Sequence, residues 1–492
     1  MAKLLAACLA LAALSLLLPS EPSYDPFAWL VWGREIAHGD LDTTGGSSWK
    51  PLPVVFTILF SPFSRVDDAI PVALWMVVAR TGALLALAMA FRLASRLAGG
   101  GVTGALGGVV AAVTLAVLPD WLQFSAHGSE APWAVALMFW AIERHLDGRR
   151  DHAFVLGVLA CLLRPELVPF LGVYTIWLWW AEPRLRLLVV GSALVSAVVW
   201  LVPEWIGAGN PLDGAKQATG EPVWSLSRED RPWLAALDLA HDHAGVLVEL
   251  LALAAVVWAL VARELATLLL AAVVVAEAAL FVVMTQAGFS GNPRYVLPAL
   301  ALTCVLAGVG TARILAAAGS LTPRPSPAFG AAAAAVVLAI VAVPFANERA
   351  ERMDRELRQI GVRMDLHRDL ARAVDRLGGP SAVSAVGTAT ANRAYHSHLA
   401  WEVKVPISAV EAVSAHRLVF RSWRVLSAGR VYTTGRARVR RTVLRVGDWQ
   451  VVERDRISFP LARAQAPGDD PVTASLQGID NWRETGRSRR TG

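Results

Sequence analysis

Cysteine, lysine and charge are all scarce in this chain of 492 residues. The three cysteines, Cys8, Cys161 and Cys304, fall inside apolar stretches, so neither a disulfide framework nor a zinc site is indicated. Only 17% of the residues are charged and 55% are hydrophobic, whereas a soluble globular protein is about a quarter charged, so an ordinary soluble enzyme is excluded. Lysine stands only at Lys3, Lys50, Lys216 and Lys404, and arginine carries the rest of the basic charge. No basic patch alternates with aromatics, so the net charge of +6 does not indicate a nucleic-acid partner and instead reports topology. A glycine-rich nucleotide loop and an internal repeat are both missing.

The apolar residues, in contrast, come in blocks from Met1 to about Phe345, each near the length that crosses about 30 Å of hydrocarbon. Candidate spans are 4–18, 70–92, 102–118, 132–146, 153–163, 167–181, 186–206, 244–262, 265–285, 294–314 and 328–345. The first block lacks a small-x-small cleavage site before Pro19 and Glu21, so it is read as a retained span. Arginines mark every second loop: Arg92 and Arg96, then Arg144, Arg149 and Arg150, then Arg184 and Arg186, then Arg263, then Arg313 and Arg324. By the positive-inside rule those loops and the N-terminus are cytoplasmic, and the loop 19–66 and everything after residue 345 are exterior. The apolar run 52–63 is too short to span and is expected to lie on the outer membrane surface. It leaves a first exterior loop of about 50 residues, a length at which loops are usually functional.

Past residue 345 the composition changes. The stretch 348–377 is charge-rich, with Met353, Leu357, Ile360, Met364, Leu370, Val374 and Leu377 at helical spacing. Short β-like runs follow at 382–386, 417–420, 430–432, 443–446 and 449–452. The sequence thus predicts a membrane module over 1–345, a small exterior α/β domain over 346–463 and a disordered tail over 464–492.

The first exterior loop holds an ordered set of signals. Asp25 follows the first span, with Pro26 and an amphipathic stretch over 26–38 behind it. A Gly39-Asp40-Leu41 turn comes next, and then Lys50-Pro51-Leu52-Pro53 leads into the second apolar run. A carboxylate at the membrane boundary can take a proton from an acceptor hydroxyl, and an aspartate before proline is also an ordinary helix cap. This ordering resembles the first exterior loop of the GT-C superfamily, membrane glycosyltransferases that use polyprenyl-phosphate sugars. The resemblance extends in topology over residues 1–345 and maps the family's acidic residue onto Asp25 and its K-P-P-like turn onto Lys50 and Pro51. It departs from the family in two ways: Asp25 has no acidic neighbour, and the turn reads K-P-L-P.

Other exterior loops add candidates. His127 and Glu130 lie in Ser125-Ala126-His127-Gly128-Ser129-Glu130, as site residues or as a solvated histidine and a helix-capping acid. Arg164 and Glu166 flank Pro165 between two apolar runs, as an ion pair or as contacts to a lipid phosphate. Arg294 and Tyr295 close Gly288-Phe289-Ser290-Gly291-Asn292-Pro293, where arginine can fork onto a phosphate beside a helix N-terminus or snorkel to the interface. That string resembles the loop before a late helix in actinobacterial GT-C-like proteins. The tryptophans Trp29, Trp32, Trp49, Trp121, Trp133, Trp205, Trp224 and Trp233 suit either sugar stacking or an interfacial belt. Alternation turns His241 and His243 apart on a helix, so no metal is assigned there.

The expected protein is an α-helical polytopic membrane protein with about 11 transmembrane helices, GT-C-like, with a small C-terminal α/β domain outside the plasma membrane. The resemblance implies a hexosyl- or pentosyltransferase of actinobacterial type in the cell envelope. Its partners would be a polyprenyl-phosphate sugar donor, a glycan, lipid or protein acceptor, and membrane lipid. No cofactor is required, and a role for a divalent metal stays open. The rival is a transporter or scaffold that binds through its C-terminal domain. A transporter should show two related halves with charges at mid-membrane, whereas here charges gather at the exterior edges.

Overall fold

The computed structural model describes residues 1–218, 225–321, 327–411, 417–422 and 439–454. The tail expected over 464–492 and the run 430–432 lie outside the described residues.

Each of the eleven apolar runs lies on a helix, but the helices differ in reach. Five are long and apolar enough to cross a membrane: Ala69–Leu97, Pro183–Ala208, Leu265–Gln286, Leu297–Ser320 and Ala328–Arg376. A sixth is available if Pro232–Ala244 and Val246–Ala262, bent by 88° at Gly245, count as one broken span. The remaining runs form shorter helices such as Gly101–Ala116 and Arg150–Cys161, the latter only about 18 Å long at 1.5 Å per residue.

The helix Leu297–Leu321 is the centre of the bundle. Its Leu302, Val305, Ala307 and Val309 are buried together with Leu85, Met89, Leu93, Leu115, Val135 and Phe139. Gly308 packs backbone to backbone against Gly107, so closely that a Cβ on either would collide with the other's carbonyl oxygen. Small residues serve this purpose where lipid offers no hydrophobic drive for helices to associate. The outer helices show the opposite pattern, with Val173, Ile176, Trp180, Leu187 and Leu194 exposed, as lipid-facing positions would be.

Two groups of loops pair within themselves. Arg92 bonds Glu143 at 2.8 Å, Arg144 pairs with Asp147 at 2.7 Å, and Arg313 reaches the Leu97 carbonyl at 3.1 Å and also pairs with Glu264. These belong to the set expected on the cytoplasmic side. The other set converges on the site described below.

The loop 19–66 folds into the helix Tyr24–His38 and the 10-residue helix Pro51–Phe60. The second is about 15 Å long, too short to span, and leaves Val55 and Leu59 exposed. The last apolar run does not stop at residue 345 but continues as one helix, Pro327–Arg376, through Pro344. Asn347, a residue type that can end a helix, stays helical at the junction, so the apolar run and the amphipathic stretch are continuous. Its far end buries Leu366, Leu370, Ala373 and Val374 against Leu399, Phe420 and Trp449, and against Phe27, Trp29 and Trp32 of the helix Tyr24–His38. One hydrophobic core therefore joins the C-terminal region to the loop.

Among the described residues the sheet has four strands in the order β1-β2-β4-β3, with β1 Ala389–Thr390, β2 Leu418–Ser422, β3 Val439–Val446 and β4 Trp449–Arg454. The β1/β2 pair is parallel and the other two pairs are antiparallel. The strand expected over 382–386 is instead the end of a helix, Gly379–Val386. Gly378 in the left-handed region and Pro380 in the first turn start that helix, and Val383 is its buried anchor.

Candidate active site

Asp25 lies in the first turn of Tyr24–His38, at the positive helix end, and Ser23 is the N-cap residue. Asp25 does not cap the helix through its side chain; its Oδ2 accepts a hydrogen bond from Arg294 Nη1 in a close ion pair. Arg294 is aimed by its local sequence. Asn292 Oδ1 accepts from the Arg294 backbone N–H at 3.0 Å, closing the short 3-10 turn Pro293–Tyr295 that leads into the central helix. Before it, Gly291 has φ +64 against the Leu226 side chain, a conformation that disfavours larger residues.

Behind this pair is a buried charge cluster. Lys50 directly precedes the helix Pro51–Phe60 in an extended conformation, φ −140, as a residue before proline prefers. Its Nζ forms a close ion pair with Glu130 and lies 5.5 Å from the Trp29 ring centroid. Glu130 is the N-cap residue of Ala131–Leu146. Arg164, again extended before a proline, donates to Glu130 at 3.1 Å and to the Arg294 carbonyl at 2.8 Å, and pairs closely with Glu166. The Tyr295 ring lies 5.0 Å from the Arg164 guanidinium and 5.7 Å from that of Arg294. Three cations and three carboxylates thus form one connected set. Lys50, Glu130, Arg164 and Glu166 are buried, whereas the side chains of Asp25 and Arg294 keep 16% and 25% of their surface exposed. The open end of the cluster is therefore the Asp25–Arg294 pair.

Burial by itself would favour protonated Glu130, but the Lys50, Arg164 and Arg294 charges hold its carboxyl well below the usual carboxylate range. An ionised Glu130 fixes both Lys50 and Arg164. Two guanidinium donors of the cluster, Arg164 Nε and Arg294 Nε, are buried without a hydrogen-bond partner among the described residues. Buried N–H donors with nothing to bond cost about 1–3 kcal/mol each, and an anion is the ligand that would satisfy them.

Of the residues singled out from sequence, Asp25, Lys50, Glu130, Arg164, Glu166, Arg294 and Tyr295 converge. His127 does not join them. Its Nδ1 is 3.0 Å from the Glu21 carbonyl, and burial, with Arg363 nearby, pushes the ring down to about 3, leaving it neutral. The tryptophans divide: Trp29, Trp32, Trp49 and Trp121 are core, Trp205 and Trp233 are exposed, and Trp224 lies outside the described residues. His241 and His243 have separate partners, Glu249 at 2.9 Å and Asp120 at 3.2 Å. The Gly245 bend that follows is capped by Arg349, whose Nη2 donates to the His243 carbonyl at 2.7 Å. The expectation that charges keep to the exterior edges fails at Glu277, buried on a long apolar helix, whereas buried Arg80 reaches the Pro19 carbonyl at 3.2 Å. A carboxylate inside an apolar run was the available signal for Glu277.

No protein-family model matches the chain, and no curated protein matches its sequence. Its fold is similar to that of two crystal structures. One is ArnT from Cupriavidus metallidurans bound to undecaprenyl phosphate, with a TM-score of 0.52 and 13% identity, covering 94% of this chain and 99% of that one. The other is the same protein in the apo state, with a TM-score of 0.51 and 16% identity, covering 92% and 97%. At such identities the likeness shows the fold, which is the GT-C-like helical membrane architecture with a small C-terminal sheet.

Proposed function

We propose that the protein is a membrane glycosyltransferase that moves a sugar from a polyprenyl-phosphate donor to an acceptor on the exterior face. The observation that carries this reading is the cluster of Lys50, Arg164 and Arg294 with two unsatisfied buried guanidinium donors, set beside the only moderately buried carboxylate of Asp25. A fold shared with a protein crystallised with undecaprenyl phosphate supports the same ligand class.

The reaction is an inverting displacement. Asp25 takes the proton of the acceptor hydroxyl, the hydroxyl oxygen bonds to the anomeric carbon, and the bond from that carbon to the phosphate oxygen breaks. The electron pair stays on the lipid phosphate, where Arg294 and Lys50 offset the developing charge. The Asp25–Arg294 pair gives this scheme an order of events. A donor phosphate that engages Arg294 replaces Asp25 as its partner, and the carboxylate is released to act as base. A positioned base is worth roughly 10²- to 10⁴-fold in rate, or about 3 to 5 kcal/mol.

The acceptor is a glycan, lipid or protein hydroxyl, and the transferred group a hexose or pentose. The G-N-P-R-Y string supports an actinobacterial-type member. The module 1–345 sits in the plasma membrane with its N-terminus cytoplasmic, and the domain 346–463 is exterior. Asp25→Asn tests the chemistry, because asparagine keeps the side-chain shape and cannot take the proton. In membranes that supply donor and acceptor, the variant is expected to fold, to bind polyprenyl phosphate and to lose transfer by at least 100-fold. Transfer near the parent rate would remove Asp25 from the chemistry.

A further inference from the structure

Away from the charge cluster, three side chains that are distant in sequence meet under the C-terminal region. Glu21 comes from the first exterior loop, His367 from the far end of Pro327–Arg376, and His398 from the helix His396–Val403. One ligating atom of each lies within 4.8 Å of the others. We propose that Glu21, His367 and His398 form a transition-metal site of zinc type that clamps the C-terminal region to the first exterior loop. This inference stands independently of the sugar-transfer reading.

The histidines are prepared as ligands. Each is 3% exposed, and the Nδ1 of each is buried without a hydrogen-bond partner. His398 Nε2 is 3.1 Å from Glu402 Oε1, so its N–H donates to that carboxylate and the Nδ1 lone pair points elsewhere. A carboxylate behind an imidazole is the usual outer partner of a metal-bound histidine. His367 Nδ1 faces Glu21 Oε1 at 3.4 Å, beyond good hydrogen-bond length. The two rings stack at 4.5 Å, and Phe27 covers His398 at 4.3 Å, so neither ring can turn freely. Without a metal, the fold buries two imidazole nitrogens that bond to nothing.

The donor set also selects the ion. Two imidazoles and one carboxylate suit zinc, with a fourth position for water, and do not suit the all-oxygen shells of calcium or magnesium. Arg363 and Arg368 lie within electrostatic reach of the trio. They oppose any cation there, so a metal must be retained through its imidazole bonds. Ligands at 2.0–2.2 Å from a tetrahedral zinc are roughly 3.4 Å apart; the His367–Glu21 pair is already at 3.4 Å, and the other separations must close by up to about 1.4 Å from 4.8 Å. The chain segments it would join are those already sharing a core with the helix that carries Asp25.

The test uses the full-length protein in detergent, stripped with chelator, incubated with zinc chloride alone, desalted and assayed for metal. One zinc per chain is expected, with an unfolding temperature several degrees above that of the stripped protein. Cobalt in its place should give visible absorption of tetrahedral strength. Glu21→Gln, at the more exposed edge of the trio, and His367→Gln should each weaken zinc retention at least tenfold and abolish the cobalt band, whereas His241→Gln should retain both. If His367→Gln fails to fold, Glu21→Gln decides. Less than a tenth of an equivalent of zinc in the parent, unchanged retention in the folded variants, or equal loss in His241→Gln would each overturn the site.

Discussion

Glu130 holds the site together at the scale of single residues. It is the shared partner of Lys50 and Arg164, and all three are almost completely buried. Removing one member of a buried ionic set costs about 3–5 kcal/mol because the others lose their counter-charge. Glu130→Gln is therefore expected to destabilise the protein by that amount in denaturant titration of the detergent-solubilised chain, and a loss below 1 kcal/mol would mean that water already screens the cluster. The residues of this cluster were legible one by one, since Lys50-Pro51, Arg164-Pro165 and Asn292-Pro293-Arg294 each put a charge at a helix start, where proline fixes the backbone. Their pairing was not legible, because Asp25 and Arg294 are 269 positions apart and no periodicity links them. His127 was drawn toward Glu130 by closeness in sequence, while its backbone and ring are committed to the segment around Glu21.

Among the elements, the helix Tyr24–His38 connects the site to the core it shares with the C-terminal region. Its N-terminal turn carries Asp25, and its other end is held by Arg34, which donates to the Val405 carbonyl at 3.0 Å. Glu35 on the same helix is buried and accepts from the Asp42 backbone N–H at 3.0 Å, closing the turn that follows. Burial pushes its carboxyl up to about 7, although that hydrogen bond and Arg34 act against the shift. Because the folded protein holds this proton more tightly than the unfolded chain does, the stabilisation is complete below about pH 4.5 and is lost as pH rises through 7. The parent should thus lose up to about 3 kcal/mol between pH 5 and pH 8 from this group, and Glu35→Gln, which mimics the neutral acid, should flatten that part of the profile. An unchanged pH slope in the variant would contradict the assignment. Element types with long periodic signals were readable from sequence, such as the central helix and the two loop helices. The 382–386 run was not, because five apolar and small residues suit a strand as well as a helix and only the Gly378–Pro380 start signal separates them. Nor was the fusion of the last span with the amphipathic stretch readable, since the composition changes sharply after residue 345 while the helix runs on through Pro344.

For the molecule as a whole, the account needs the charge cluster and the C-terminal region on the same, exterior side. A reporter active only outside the cytoplasm, fused at about Gly379, is expected to be active, and activity confined to a cytoplasm-dependent reporter would invert the topology. The central claim is that a lipid phosphate enters the Lys50, Arg164 and Arg294 cluster by displacing Asp25 from Arg294. Native mass spectrometry with undecaprenyl phosphate tests this most directly, because it reads binding without knowing the sugar or the acceptor. The parent should bind one molecule. Arg294→Ala should bind at least tenfold more weakly for want of its guanidinium, and Asp25→Asn should bind as tightly or more tightly, since its neutral amide competes less well for Arg294. Equal binding by Arg294→Ala and the parent, or a loss of binding in folded Asp25→Asn, would contradict the account.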